Sequence, residues 1–354
     1  MFNIFVRNYS KPMKNRAILT ALILLLMQSL YSQKNVNSFL VVSYNVENLF
    51  DTVDSPLEGD DEFTPSGTKQ WTHERYDKKL NDLARVILSI PGRELPAIIG
   101  LAEIENRGVL EDLVQARGLR RGEYGIVHEE DRDPRGIECA LLYRPELFKY
   151  RSHEYVPIED PIDPDYLYRG ILHVHGKGPD GSSLHIFVNH WKSRSGGQQE
   201  TERQRMYSAI TLRKQLDMLM ARESDFKVIV MGDFNDEPTN RSLTNGLSAL
   251  NKRHNIHMGD YYNLFYDPHN MEGKGSYNYQ GAWNMLDQII VSYNLLNQDR
   301  GLSTGFDSGR ILKEEWMLYT SEKYGANLPS ATYGGPEYYG GPSDHLPVYV
   351  EFTW

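Results

Sequence analysis

The C-terminal stretch GPSDHLPVYVEF places an aspartate and a histidine, Asp344 and His345, side by side. Leu346, Val348 and Val350 alternate after them with other residues, which is the period of a β-strand with one buried face. A carboxylate and an imidazole at the entrance to a strand can take part in proton transfer or charge stabilisation. An isolated pair of this kind is more often part of a turn. Residues elsewhere in the chain must therefore distinguish a catalytic pair from a turn.

Four other apolar strands end in polar side chains that share a face with apolar residues of the same strand. The four rows are Phe39, Val41, Ser43, Asn45 and Glu47; Ala97, Ile99, Leu101 and Glu103; Leu184, Ile186, Val188 and His190; and Ile229, Met231, Asp233 and Asn235. Each buried polar group that stays without a partner costs about 1 to 3 kcal/mol. The groups must therefore pair with one another or with a metal ion.

Carboxylates and amides at several strand ends supply the oxygen ligands that magnesium prefers. Imidazoles near them suit charge stabilisation and proton transfer around a phosphoryl group. Taken alone, Asp233 is better explained as a turn or N-cap residue. The coincidence of four strand ends favours metal-assisted hydrolysis of a phosphoester.

Seven strand-like runs and two helical segments must position these residues. The strands are predicted at FLVVSYNV, PAIIGLAEI, IECALLYR, SLHIFVNHW, FKVIVMGDF, LDQIIVS and HLPVYVEF. Helical periodicity covers residues 76–88 and 200–221. The predicted inward residues are Leu80, Leu83, Ala84 and Ile87 on the first helix and Met206, Ile210, Leu216 and Leu219 on the second. Runs of strands with long helices between them predict an α/β or α+β domain.

The composition is that of a soluble globular protein: 354 residues, 40% hydrophobic and 24% charged, which excludes a disordered or membrane-embedded chain. The first 32 residues contain four basic residues, no acid and a short apolar run. They predict a secretory signal peptide over residues 1–32, with an N-terminal core helix as the alternative. No linker divides the rest, so we predict one domain over residues 33–354, secreted or periplasmic, without a membrane span in the mature form.

Residues 33–354 contain 34 basic and 48 acidic residues, a net charge of −14. This charge repels polyanions, so a phosphate-bearing substrate must be held by a local basic patch or by bound cations. The Gly-rich segment WKSRSGG, which follows His190, offers Lys192 and Arg194 for substrate binding, with a solvated loop as the alternative. Cys139 is the single cysteine, which excludes an intrachain disulfide.

The motifs resemble, in the same order, those of the endonuclease/exonuclease/phosphatase superfamily. These metal-dependent phosphoesterases include deoxyribonuclease I-like nucleases, abasic-site endonucleases, neutral sphingomyelinases and inositol polyphosphate phosphatases. The similar blocks are SYNVENLF, LAEIEN, FVNHWKS, MGDFND, WNMLDQIIVS and SDHLPV. The resemblance implies a deoxyribonuclease I-like four-layer sandwich, in which helices flank two packed mixed β-sheets.

The resemblance also implies roles for individual residues. Glu103 would be the principal ligand of Mg²⁺, or of Mn²⁺ or Ca²⁺, with Asn45 and Asp344 close to the ion. Asp233 would orient and deprotonate the attacking water. Asn235 would hold this water or a phosphate oxygen.

Two histidines complete the implied site. His345 would stabilise charge on the phosphorus, with Asp287 fixing its ring, and His190 would contact the phosphate and help to protonate the leaving oxygen. Glu138 lies near the place of the glutamate that orients His190 in deoxyribonuclease-like members, but one residue out of register. Glu47 either neighbours the metal or forms a surface ion pair.

Three functions follow as hypotheses. The first is an exported metal-dependent nuclease or phosphodiesterase that acts on DNA or RNA as a monomer without a stable protein partner. The second is a phosphatase or lipid phosphodiesterase, sphingomyelinase-like or inositol-phosphate-like. The segment DQII lacks the arginine of inositol-phosphatase-like members, which counts against the latter. The third, an idle binding protein, would have no physical reason to keep so many costly buried polar groups.

Overall fold

The computed structural model describes residue 1 and residues 37–55, 59–130, 135–223, 225–296 and 301–354. The predicted signal peptide, apart from Met1, lies outside the described residues. The segment Ser38–Trp354 is a compact unit and carries every feature discussed below. In the part of the chain that the structure describes, each helix is too short or too polar to cross a lipid bilayer.

Two mixed β-sheets form the centre of this unit; their strands are numbered along the chain. The first sheet has the order β14 (Arg310–Ile311), β19 (Val348–Thr353), β1 (Ser38–Leu49), β2 (Ile98–Ile104), β4 (Glu138–Tyr143) and β3 (Gly125–Val127). The second has the order β5 (Lys149–Val156), β6 (Ile171–Lys177), β7 (Ser183–His190), β8 (Phe226–Asp233), β13 (Asp287–Ser292), β10 (Tyr261–Asn263) and β9 (Ala249–Leu250).

Three short hairpins and four α-helices surround the sheets. The hairpins pair β11 (Tyr277–Tyr279) with β12 (Ala282–Asn284), β15 (Leu318–Ser321) with β16 (Ala326–Pro329), and β17 (Tyr333–Gly334) with β18 (Glu337–Tyr338). The α-helices among the described residues are α1 (His73–Ser89), α2 (Arg107–Gln115), α3 (Glu202–Arg222) and α4 (Tyr266–Asn270). Helices α1 and α2 cover the outer face of the first sheet, and α3 covers that of the second. All seven predicted strands and the four-layer arrangement are confirmed.

An apolar core fills the space between the two sheets. Val41 of β1 packs in it with Ile186 of β7 and Met231 of β8. Gly100 of β2 packs tightly at this interface, because a Cβ there would lie 2.8 Å from the sulfur of Met231 and would require this side chain to shift. β2 and β8 are therefore in close contact at this point of the core.

The predicted inward face of β2 is wrong. Ile99 and Leu101 pack against the helices outside the first sheet, whereas Ile98 lies in the core between the sheets. Glu103 nevertheless reaches the inner side, because the pairing of β2 with β4 shifts register around it and its φ is +68°. This β-bulge reverses the direction in which strict alternation would send the side chain.

The predicted inward row of α1 is confirmed, since its four residues are buried. The row predicted for α3 is wrong at Ile210, which is 47% exposed. The buried residues of α3 are Arg205, Ser208, Ala209, Leu212 and Leu216. A buried arginine and serine interrupt the apolar period of this helix, so an apolar pattern alone does not identify its inner face.

Candidate active site

The ends of six neighbouring strands meet at one edge of the two sheets. In the second sheet, Asp233 of β8 is paired in register with His190 of β7 on one side and Asp287 of β13 on the other. In the first sheet, β1, β2 and the segment before β19 supply the remaining residues. Six of the predicted catalytic and metal-binding residues line one cavity of about 730 Å³: Glu103, His190, Asp233, Asn235, Asp344 and His345.

Asn45 joins the carboxylates of the two sheets from beneath the cavity. Its Nδ2 donates to Glu103 Oε1 at 3.3 Å and to Asp233 Oδ2 at 3.0 Å. Its Oδ1 accepts a hydrogen bond from the backbone N–H of Glu47 at 3.0 Å. In this arrangement Asn45 holds the carboxylates of Glu103 and Asp233 in place. Asn45 would lie near a metal ion that is bound by Glu103.

Asp233 is held by several donors. Its Oδ1 accepts from the backbone N–H of Asn235 at 2.8 Å, and its Oδ2 accepts from the Asn235 side chain at 3.3 Å. Gly232 allows this approach of β8 to β7, because a Cβ there would lie 1.9 Å from the carbonyl oxygen of Asn189. Burial and the negative charge of Asp287 raise the pKa of Asp233 to about 6, although His345 acts in the opposite direction. A carboxylate with such a pKa is suited to accept a proton from water near neutral pH.

His345 is oriented by an aspartate, as expected. Its Nδ1 lies 2.7 Å from Asp287 Oδ2, and its ring packs 4.8 Å from the ring of Tyr277. Burial disfavours the imidazolium, but Asp287 and Asp233 together outweigh burial and raise the pKa of His345 well above its usual value. A cationic imidazole therefore faces the cavity beside Asp233, 3.9 Å away.

His190 lies opposite, between the two sheets. Its Nε2 is 3.6 Å from Glu103 Oε1 and 3.7 Å from Asp233 Oδ2. Burial, with Arg169 and Arg135 nearby, lowers the pKa of His190 well below its usual value, so this imidazole is neutral. Among the described residues, its buried Nδ1 has no hydrogen-bond partner. The contact considered for Glu138, which begins β4, is thus not made within the described ranges of the chain.

Glu47 and Lys79 anchor the loop that carries Asp344. The Glu47 carboxylate accepts from the backbone N–H groups of Thr332, Tyr333 and Asp344 at 2.7, 3.0 and 2.9 Å. Lys79, which is 2% exposed, donates from Nζ to the carbonyl oxygen of Glu47 at 3.1 Å. Glu47 therefore makes no exposed ion pair and acts as a buried acceptor for backbone groups.

The donor set fits a hard divalent cation. Burial and the negative charges of Glu47 and Glu103 raise the pKa of Asp344 to about 8, while His345 and Lys79 partly offset them. Carboxylates crowded in this way repel one another, and a bound cation would relieve that repulsion. Glu103 and Asp344 are the residues whose oxygens would hold it.

The two predicted substrate-binding residues lie in different places. Arg194 lines the main cavity, and its guanidinium donates to Asn235 O, Asn284 Oδ1 and Asn240 Oδ1 at 2.8 to 3.0 Å. Lys192 lines a second cavity of about 580 Å³, which shares His190 with the first.

Sequence reasoning missed Arg135, which is exposed and lines both cavities. Its segment EEDRDPRG contains four acidic and two basic residues, so local charge did not mark Arg135 as a phosphate-binding residue. Sequence reasoning also missed Lys79, although this lysine lies on the same side of α1 as the apolar residues Leu83 and Val86.

Comparison with known proteins identifies the family to which the chain belongs. Residues 40–353 match the family model described as Endonuclease/Exonuclease/phosphatase family, whereas no curated protein matches significantly. One similar solved structure is an endonuclease/exonuclease/phosphatase family protein from Bacteroides thetaiotaomicron, with a TM-score of 0.53 and 20% identity over 90% of this chain and 99% of that chain.

Two further structures share the fold. A mannosyl-6-phosphatase from the same bacterium has a TM-score of 0.53 and 19% identity over 89% of this chain and 100% of its own. D. rerio TDP2 complexed with a single-strand DNA product has a TM-score of 0.52 and 14% identity over 89% of this chain and 99% of its own. Members of this family hydrolyse phosphoester bonds and generally depend on a divalent metal ion. With a match that spans nearly all of its described residues, the chain belongs to the endonuclease/exonuclease/phosphatase family.

Proposed function

We propose that this protein is a magnesium-dependent phosphodiesterase whose substrate is a DNA or RNA strand. The observation that carries this proposal is the pair of cavities that meet at His190. Both are lined by His190, Arg135, Ser193 and Ser195. A phosphate bound at His190 would have room for a chain on either side, which a diester needs and a terminal monoester does not.

The residues divide the chemistry between the two sheets. Oxygens of Glu103 and Asp344, with Asn45 behind them, would hold the cation, which when bound polarises a phosphate oxygen and neutralises developing charge. Asp233, with a pKa of about 6, takes the proton of the attacking water. Asn235 positions this water or a phosphate oxygen beside Asp233.

The histidines act on the phosphate in different charge states. His345, kept cationic by Asp287, stabilises the negative charge that builds up on the phosphoryl oxygens. His190 is neutral and donates one hydrogen bond to the phosphate or to the leaving oxygen. The pair therefore provides one fixed charge and one donor, without a second cation that would repel the first.

The second cavity would bind the neighbouring part of the strand. Lys192 and Arg135 are the basic residues there that can contact flanking phosphates. Tyr166, which is partly exposed, lines the same cavity and offers an aromatic face on which a base could stack. These groups supply the local attraction that a chain with a net charge of −14 over residues 33–354 requires.

The test is a substrate panel of plasmid DNA, single-stranded DNA and RNA, each with Mg²⁺ and with chelator. We expect acid-soluble nucleotides only with Mg²⁺, no product with Asp233→Ala, and full activity with the surface variant Asp217→Ala. Intact nucleic acids in every Mg²⁺ reaction of the wild type would rule out the nuclease proposal.

A phosphatase or lipid phosphodiesterase is the second candidate. The net acidic charge favours it, because a small or membrane-bound ester does not require a long basic groove. A chromogenic phosphomonoester, a chromogenic phosphodiester, sphingomyelin and inositol phosphates added to the same panel separate the two. Turnover of the monoester alone would favour the phosphatase.

We also propose that the chain is exported and acts as a monomer. The basic residues and apolar run within residues 1–32 support export, and the self-contained set of site residues supports a monomer. N-terminal sequencing of the processed protein and light scattering in solution test both statements. An N-terminus that still begins at Met1, or a stable dimer, would contradict them.

A further inference from the structure

A cluster of histidines lies on the outer face of the second sheet, away from the active site. His173 and His175 are two residues apart on β6 and therefore share a face. His185 of β7 is paired directly opposite His175. Strands advance about 3.3 Å per residue, so His185 is roughly 16 Å along β7 from His190. His185 also points to the opposite side of the sheet.

Three side chains of this cluster bring potential ligand atoms together. One ring nitrogen each of His175 and His185 and a carboxylate oxygen of Glu223, all within 4.8 Å of one another, form the group. His185 Nε2 is 3.6 Å from Glu223 Oε2. Glu223 immediately follows α3, so the cluster connects this helix to two strands.

A chain of hydrogen bonds sets the tautomer of His185. His173 Nδ1 lies 3.1 Å from the Glu154 carboxylate and must carry a proton to donate to it. His173 Nε2 then accepts, so the proton of their 2.9 Å hydrogen bond belongs to His185 Nδ1. A neutral His185 consequently presents the bare lone pair of Nε2 to Glu223.

The neutral form is the favoured one. His185 is 3% exposed, and burial disfavours a charged imidazolium. The Ser183 hydroxyl lies 3.1 Å from His175 Nε2 and 3.4 Å from His185 Nε2. It has one proton and can satisfy only one of the two. The Nε2 lone pair of His185 thus faces the Glu223 carboxylate without a positive charge between them.

We propose that His175, His185 and Glu223 form a transition-metal site, with Zn²⁺ as its ion and water as the fourth ligand. Two imidazoles and a carboxylate suit Zn²⁺, whereas the all-oxygen set of the active site suits Mg²⁺. The chain from His185 through His173 to Glu154 is the arrangement that fixes the tautomer of a metal-binding histidine. His175 and Glu223 are partly exposed, which leaves a path for the ion and for water. The bound ion would tie the end of α3 to β6 and β7.

The experiment measures Zn²⁺ binding to the metal-free full-length protein by calorimetry in excess Mg²⁺. A variant with Glu103→Gln, Asp344→Asn and His190→Ala removes both cation-binding carboxylates and the imidazole 3.6 Å from Glu103, so Zn²⁺ bound by it is bound elsewhere. We expect this variant to retain one equivalent. Adding His175→Ala or Glu223→Gln should weaken its affinity at least about tenfold, while the exposed control His254→Ala should leave it unchanged.

A second measurement excludes misfolding as the explanation. His175 is partly exposed, so the metal-free His175→Ala protein should melt like the wild type, and only the wild type should gain thermal stability with Zn²⁺. Co²⁺ in place of Zn²⁺ should give the visible absorption of a four-coordinate ion. Absence of Zn²⁺ binding in the active-site variant, or binding unaffected by His175→Ala, would overturn the proposal. Neither readout uses catalytic activity, so the result is independent of the proposed function.

Discussion

His345 Nδ1 and Asp287 Oδ2 form a 2.7 Å hydrogen bond that links the two sheets, since His345 precedes β19 and Asp287 begins β13. The other oxygen of Asp287 is buried and has no hydrogen-bond partner among the described residues. The charge of this aspartate is therefore compensated mainly by the imidazolium. The pair couples the charge state of the site to the contact between the sheets.

Asp287→Asn should abolish the cationic form of His345 at neutral pH. The wild-type pKa is raised, so the imidazolium persists as pH rises above the ordinary histidine value of about 6.5. The variant should lose the His345 imidazolium at a lower pH. This moves the alkaline limb of the kcat/KM profile to lower pH and reduces kcat by on the order of 100-fold. A pH titration of kcat/KM tests this, and an alkaline limb at the wild-type position would contradict it.

The stability of the metal-free protein should decrease as pH rises towards 8. The folded-state pKa of Asp344, about 8, exceeds the unfolded value of 3.8. The folded state thus binds the extra proton, and its stabilising effect is complete below pH 3.8 and is lost as pH rises through 8. Mg²⁺ should raise the melting temperature most at the upper end of this range, and Asp344→Asn should remove both effects. Thermal melts with Mg²⁺ or chelator across this range measure the difference.

Lys79→Met should destabilise the protein and displace the loop that carries Asp344. The variant loses the hydrogen bonds from Nζ to Glu47 O, Thr332 Oγ1 and Pro342 O, at a cost of roughly 2 to 4 kcal/mol in unfolding free energy. Urea unfolding measures this cost. The control is Lys78→Met on the same helix, where the exposed ion pair with Asp82 should contribute less than about 1 kcal/mol. Equal losses in the two variants would show that burial of Lys79 is unimportant.

Arg205→Met should loosen the Gly-rich loop beside His190. Arg205 is fully buried, pairs with Asp236 at 2.8 Å and donates to the carbonyl oxygens of Lys192 and Gln198. Removing one partner of a buried ion pair costs roughly 3 to 5 kcal/mol. Urea unfolding should show this loss, and proteolysis should cut the loop faster. Arg241→Met, at an exposed position, should change stability by less than about 1 kcal/mol, and a similar loss there would refute the argument.

The strands and the motif residues could be predicted from the sequence because apolar alternation and polar strand ends are local patterns. The position of Glu103 could not be derived from alternation, since a bulge with φ +68° reverses its direction. Ile210 was misplaced for a related reason: the inward stripe of α3 contains the buried Arg205. Both errors arise where the backbone or a buried charge breaks a regular period.

The supporting contacts were beyond sequence reasoning because they join distant segments. Glu47 binds backbone groups that follow it by 285 to 297 positions, and nothing near Glu47 in sequence indicates those acceptor contacts. The histidine cluster on β6 and β7 depends on the pairing register of two strands, which places His175 opposite His185. Such relationships become visible only once the sheet order is known.

The close crossing at Gly100 and Met231 has a consequence for catalysis. Glu103 lies on β2 of the first sheet and Asp344 lies just before its β19, whereas His190 and Asp233 end two strands of the second sheet. The thickness of the apolar core therefore sets how far the cation-binding oxygens stand from the base that activates water. A bulkier side chain at this crossing would spread the sheets and slow the reaction without altering any group that touches the substrate.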